Sequence, residues 1–202
     1  MQNSSSAGFD FPWPQKGDQL VSATGGHVLN AWFSGRTDLI AHIEGYKRAA
    51  DLIWQQIESE PRAAGIDFLV FPMVFLYRHY VELCLKDIIA AGIYLEMGNG
   101  FYPATHNLGD LWKSAREYLE RIEPGGSDET LASMTEMIAQ LDQLDPGSFT
   151  FRYPISKKLL PTLPQNGGLN LALFHEGMEK MMSFFDGCEC MLSEYKRNLG
   201  SD

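Results

Sequence analysis

The chain has 202 residues, enough for one domain with a substantial core. Its formal net charge of −10, from 26 acidic against 16 basic residues, excludes nucleic-acid binding through the whole surface, because that would oppose the phosphate charge. Any such contact is confined to a small local basic site.

Residues 1–8 are polar and small, with neither the basic nor the apolar region of a signal peptide. The apolar stretches at 68–77 and 88–95 are broken up by Pro72, Arg78, Glu82 and Lys86, short of a ~20-residue membrane span. A cytoplasmic protein without membrane contact is the expectation. Residues 1–33 carry a serine run, Pro12 and Pro14 around Trp13, and the pair Gly25-Gly26. They read as a poorly regular N-terminal arm, with Phe9, Phe11 and Trp13 available to pin it to the domain or to a second subunit.

From residue 34 to 198 the pattern is that of a helical bundle domain. Apolar residues at three- and four-residue steps, from Leu39 to Ile57, predict a first helix over 37–58, closed by Pro61 and Gly65. Asp67 is a suitable N-cap for a second helix running to about Leu95, with Pro72 tolerated best if the helix starts late or kinks there. Asn107, with Asp110 three positions on, predicts the start of a third helix ending before Pro124-Gly125-Gly126. Ser127 with Asp128 and Glu129 opens a fourth helix to about Leu144. An extended piece follows the Asp145-Pro146-Gly147 turn, and Asn170 caps a long C-terminal helix to about Arg197. Five helices with almost no alternating pattern predict an all-α, five-helix bundle.

The second helix is unusual. At ~100° per residue, Phe71, Val74, Phe75, Val81, Leu85, Ile88, Ile89 and Ile93 share one arc, and Arg78 and Glu82 fall inside it, with Lys86 at its margin. Charges there must be paired or line a cavity. Two readings stay open: an Arg78–Glu82 pair at i,i+4 that only locks the core, or a polar pocket between helices. His79 points away from Arg78 and reads as an edge or interface residue.

His106 precedes the third helix, where it can act as an acid–base group or phosphate contact, or merely bond to neighbouring backbone. Arg152, in Phe151-Arg152-Tyr153-Pro154, can bind phosphate bidentately or pair with Glu82 or Asp145. The zinc-protease pattern fails, because His175-Glu176 is followed at position 179 by Glu179 instead of a second histidine. Cys84, Cys188 and Cys190 form no CxxC pair and read as reduced, helix-packed cysteines, with no metal or cofactor expected. Met178, Met181, Met182 and Met191 read as core or dimer-interface packing.

The stretch Phe75-Leu-Tyr-Arg-His-Tyr-Val-Glu-Leu-Cys-Leu-Lys86, then Thr105-His-Asn-Leu108 and Phe151-Arg-Tyr-Pro154, resembles bacterial HEPN (higher eukaryotes and prokaryotes nucleotide-binding) helical proteins. Gly45-Tyr-Lys-Arg-Ala-Ala-Asp51 fits as well, so the resemblance covers about residues 36–198. It implies a homodimeric α-bundle with a nucleotide- or RNA-binding pocket. In many members it also implies metal-independent RNA cleavage in toxin–antitoxin or antiphage defence. The family's nucleases place a histidine a few residues beyond an arginine. Here His79 follows Arg78 at once, and no histidine stands at 83–85. Arg36-Thr37 with His42 meets the spacing only at the start of the first helix, away from the motif's usual late position. A ribonuclease built on this chain therefore needs a rearranged site, with Arg78 and Arg152 on the phosphate, His106 transferring a proton and Glu82 orienting Arg78. The competing expectation is a non-catalytic interaction module whose acidic surface suits a basic protein partner.

Overall fold

A computed structural model describes residues 13–20, 31, 38–61 and 63–199. The chain divides into two compact units, residues 1–37 and 38–202. In the first, the Asp18 carboxylate accepts from the Gln15 backbone N–H at 2.6 Å and closes a turn. The remainder of the expected N-terminal arm, including Phe9 and Phe11, lies outside the described residues, as does Arg36.

The second unit holds the expected all-α bundle: α1 (Ile40–Ser59), α2 (Ala63–Met97), α3 (Leu108–Ile122), α4 (Asp128–Leu144) and the long C-terminal α5 (Leu171–Leu199). A 3-10 turn, Pro146–Ser148, follows α4. Among the described residues there is no strand, only an isolated antiparallel bridge between Ile155 and Pro161. α2 is the hub, packing against α1, α3 and α5, while α3 packs on α4.

The capping signals act where the sequence places them. Asn107 Oδ1 accepts from the Asp110 N–H at 2.8 Å, Ser127 Oγ from Thr130 at 3.3 Å, and Asn170 Oδ1 from Leu173 at 3.1 Å. Each satisfies an N–H that a helix start otherwise leaves without a partner. The reciprocal half of a capping box does not form at α3, since the Asn107 N–H donates to Thr105 Oγ1 and not to Asp110. Asp142 on α4 supplies the next acceptor, taking the Leu108 N–H at 3.2 Å and so stitching α4 to the start of α3. Asn107→Ala is expected to cost about 1 kcal/mol, read as a lower denaturation midpoint. An unchanged midpoint would show that the cap contributes nothing.

α2 departs from expectation at its start. It begins four residues before Asp67, so Asp67 lies inside the helix and caps nothing, and it runs straight through Pro72. Pro72 removes one ladder bond near the exposed end of α2, where Phe68 and Phe71 also face outward. Further along, the apolar arc gives way to enclosure on every side: residues 80–86 are all buried, and so are Ile88 to Ile93. A helix covered all round needs no polar face. Gly92 permits the close approach of α3, because a Cβ there would run into the Tyr118 ring.

Gly65–Met97 is also long and apolar enough, by length and composition, to cross a membrane. The sequence expectation is corrected here: isolated charges barely lower the mean hydropathy of so long an apolar stretch. In this fold the helix is the packed centre of the bundle, with Arg78, Glu82 and Lys86 paired inside.

Two of the three thiols behave as core groups, while Cys190 is exposed on α5, against the expectation. Cys84 and Cys188 are buried, and burial pushes the Cys84 thiol up and the Cys188 thiol up to about 12, so neither forms a thiolate near neutrality. Met178, Met181 and Met182 are buried core residues of α5, and Met191 packs against the same core.

Candidate functional site

α2 presents Arg78, Glu82 and Lys86 at four-residue steps, one turn above another on one face. Arg78 is fully buried and Glu82 is 1% exposed. The Arg78 guanidinium is engaged through each of its three nitrogens. Nη1 donates to Glu82 Oε2 at 2.7 Å, Nε to the Asp145 carbonyl at 3.2 Å, and Nη2 to the His106 carbonyl. Nε also lies 3.9 Å from Asp145 Oδ2. One side chain thereby ties the centre of α2 to the loop entering α3 and to the end of α4.

Glu82 is the second node. Its Oε1 accepts from Lys86 Nζ at 2.9 Å and lies 2.7 Å from His106 Nδ1. Desolvation pushes the Glu82 carboxyl up, but hydrogen bonds from Lys86, His106 and Arg78 together outweigh it and hold the carboxyl below its usual range. Glu82 is therefore ionised at neutral pH and can only accept. His106 Nδ1 must then be the donor, which leaves Nε2 as the acceptor of the neutral ring. The His106 side chain is 64% exposed, so a buried carboxylate orients an imidazole whose other edge faces outward.

Asp145, the C-cap residue of α4, closes the cluster. Its Oδ1 accepts the Phe149 and Thr150 N–H groups at 2.8 and 2.7 Å, fixing the turn that follows, while its buried Oδ2 has no hydrogen bond among the described residues and faces Arg78. Two cations and two carboxylates thus balance inside the bundle. This balance is the arrangement in which burial of charge is tolerated.

Of the four residues singled out in the sequence, three converge: Arg78, Glu82 and His106. The expected polar pocket is filled by its own side chains, since Arg78 and Glu82 expose almost no surface. Arg78 has no donor facing solvent and holds no phosphate in this arrangement; it positions His106 through the backbone carbonyl and through Glu82. Glu82 orients both Arg78 and His106. The His106 ring bonds Glu82 and not neighbouring backbone, so the cap-region reading does not describe it. Arg152 pairs with neither Glu82 nor Asp145. Its Nε donates to the Ser148 carbonyl at 2.6 Å, and its guanidinium lies 5.5 Å from the Phe75 and Tyr153 ring centres on the surface.

Two residues carry more than sequence reasoning assigns them. Lys86 bonds Glu82 directly, and the i,i+4 step from Glu82 is the signal that finds it. Asp145 reads in sequence only as part of a turn and as one alternative partner for Arg152. No family model, curated protein or solved structure matches the chain.

His79 is half-buried against the Tyr46 ring at 4.4 Å and Phe75 at 6.0 Å, and burial lowers its pKa, so it sits in the bundle as a neutral ring. His175 stacks on Trp54 at 4.4 Å, its Nδ1 being 3.9 Å from Glu179. A separate apolar cavity of about 260 Å³ between α4 and α5, lined by Met137, Leu141, Leu173 and Met178 among others, has no ionisable side chain in its wall.

The depressed Glu82 value has a stability consequence. Its contribution is fully present above the ordinary glutamate value of about 4.3 and is lost as pH falls through the lower folded-state value. Unfolding midpoints followed from pH 6 to pH 3 should fall more steeply for the wild type than for Glu82→Gln. Parallel curves would contradict an ionised, hydrogen-bonded Glu82.

Proposed function

We propose that the chain is a HEPN-like protein that binds RNA or a nucleotide at the His106 surface and cleaves RNA without a metal, in a bacterial toxin–antitoxin or antiphage setting. The observation that carries this reading is the 2.7 Å contact between the buried Glu82 carboxylate and Nδ1 of the outward-facing His106. A base oriented by a third group through its far nitrogen is the arrangement that makes proton transfer efficient. In this scheme Nε2 of His106 takes the proton from a ribose 2′-hydroxyl as its oxygen attacks the adjacent phosphorus. The phosphorus–5′-oxygen bond breaks, and the departing oxygen receives the proton, leaving a cyclic phosphate. Glu82 stabilises the transient imidazolium, Arg78 and Lys86 hold Glu82, and Arg152 is the surface cation available to a phosphate. The resemblance also implies a homodimer.

The test is incubation of the purified protein with labelled RNA in chelator, beside Arg78→Ala and His106→Ala. Cleavage by the wild type that is lost in both variants is the expected result. No cleavage by the wild type, or equal cleavage by all three, sinks the reading.

A specific observation favours a second reading, a non-catalytic interaction module. Arg78 is wholly enclosed, with its contacts supplied by Glu82 and by the backbones of His106 and Asp145. A cross-link of that kind needs no substrate, and the acidic surface of such a module would suit a basic protein partner.

A further inference from the structure

The chain is acidic overall, yet from Pro146 to His175 it contains no aspartate or glutamate, while Arg152, Lys157 and Lys158 give this stretch a local positive charge. That segment leaves the charged cluster at Asp145, whose carbonyl shares the Arg78 guanidinium with the His106 carbonyl. The segment therefore starts close to the His106 backbone. Its first part is ordered by Asp145 Oδ1 on two N–H groups, and its middle by the bridge between Ile155 and Pro161 and by Thr162 Oγ1, which donates to the Tyr153 carbonyl at 2.6 Å. Three features stand on it. Tyr153 is 48% exposed and stacks on Phe149, with ring centres 4.7 Å apart and planes inclined by 28°. The Arg152 guanidinium lies between the Phe75 and Tyr153 rings with only its Nε engaged among the described residues. Beyond them a tight turn closed by Leu159 N–H on the Ser156 carbonyl carries Lys157 and Lys158, and Leu159 there adopts φ +58°, a conformation unfavourable for a side chain of its kind.

A half-exposed aromatic ring backed by a second ring, a guanidinium over it and cations one short turn away are parts that bind single-stranded nucleic acid: bases stack on aromatic and guanidinium planes and the cations follow the backbone. We infer that residues 148–160 form the docking arm for single-stranded RNA, with Tyr153 stacking an unpaired base and Arg152, Lys157 and Lys158 contacting phosphates. The inference rests on the RNA reading of the His106 site and specifies its substrate as unpaired RNA. It also accounts for how an acidic chain meets a polyanion, through one acid-free segment and not its whole surface. Ile155, Leu159 and Leu160 are exposed on the same segment, and an anionic bilayer is the alternative that the test addresses.

The test is fluorescence anisotropy with a labelled single-stranded oligoribonucleotide of about ten nucleotides, in chelator, using the full chain carrying His106→Ala so that the strand stays intact. Added to that parent, Tyr153→Ala should weaken binding by about 5- to 150-fold and Tyr153→Phe should leave it nearly unchanged. Lys157→Ala with Lys158→Ala should flatten the salt dependence by roughly 1.4 in log–log slope. The paired form of the same sequence should bind more weakly. No binding by the parent, equal binding by parent and variants, or binding only to phosphatidylserine vesicles would overturn the inference. Its failure is distinct from that of the cleavage reading. Wild-type protein that cuts RNA while Tyr153 and the lysines have no effect on binding removes the arm and keeps the reaction. Binding through Tyr153 without any cleavage removes the reaction and keeps the arm.

Discussion

Arg78→Ala is expected to lose about 3–5 kcal/mol of unfolding free energy. The substitution removes a cation that faces no solvent and leaves three acceptors behind: the Glu82 carboxylate and the carbonyls of His106 and Asp145. Lys86 remains on Glu82 but reaches only Oε1, so Oε2 is stranded in the core. Asp145 Oδ2, already without a hydrogen bond among the described residues, loses the Arg78 cation 3.9 Å away. Domains of this size are stable by only about 5–15 kcal/mol, so the variant should approach the folding threshold at ambient temperature. The measurement is a urea unfolding curve. Replacing both partners with apolar residues of similar volume, as in Arg78→Met with Glu82→Leu, should recover part of the loss, because the main cost is an uncompensated buried charge. A single variant within 1 kcal/mol of wild type would contradict the enclosed geometry.

His106→Ala is expected to lower RNA cleavage by about 10²- to 10⁴-fold, the usual contribution of a positioned acid–base group. Its effect on folding should be small, because the ring lies mostly outside the core. Glu82→Gln separates orientation from chemistry. It keeps the ring but removes the carboxylate that fixes its tautomer, so the rate should fall and the pH–rate profile should shift, with RNA binding retained. Equal rates for wild type and His106→Ala would remove His106 from the reaction. A His106→Ala variant that loses activity only in proportion to lost folded protein would assign the residue to structure alone.

The sequence reveals the bundle well, because its signals are local. Asn107, Ser127 and Asn170 each sit at the helix start they predict, and the breaks at Pro61, at Gly98 and Gly100, and at Pro124-Gly125-Gly126 fall between the helices, whereas Gly65 lies inside α2. It fails at the start of α2, where packing carries the helix through Pro72 and past Asp67. A favourable cap residue does not act as a cap when the helix already continues on its N-terminal side. The Arg78–Glu82 pair and its link to Lys86 are legible because four-residue spacing is a property of the helix itself. The contacts of His106 and Asp145 with that pair bridge distant parts of the chain, and nothing in their local sequence specifies those contacts. The Arg152 alternatives are open for the same reason: residue type allows a carboxylate or a phosphate, and the fold rules out only the carboxylate pairing, placing the guanidinium beside two rings and a backbone carbonyl.

The most direct measurement is the ring tautomer of His106, read from long-range nitrogen–proton correlations in 15N-labelled protein at a pH where the ring is neutral. With Glu82 ionised and accepting at 2.7 Å, His106 should carry its proton on Nδ1 and leave Nε2 bare, and Glu82→Gln should abolish that preference. A proton on Nε2 in the wild type, or the same spectrum in both proteins, would contradict a buried carboxylate that presents this imidazole to a substrate.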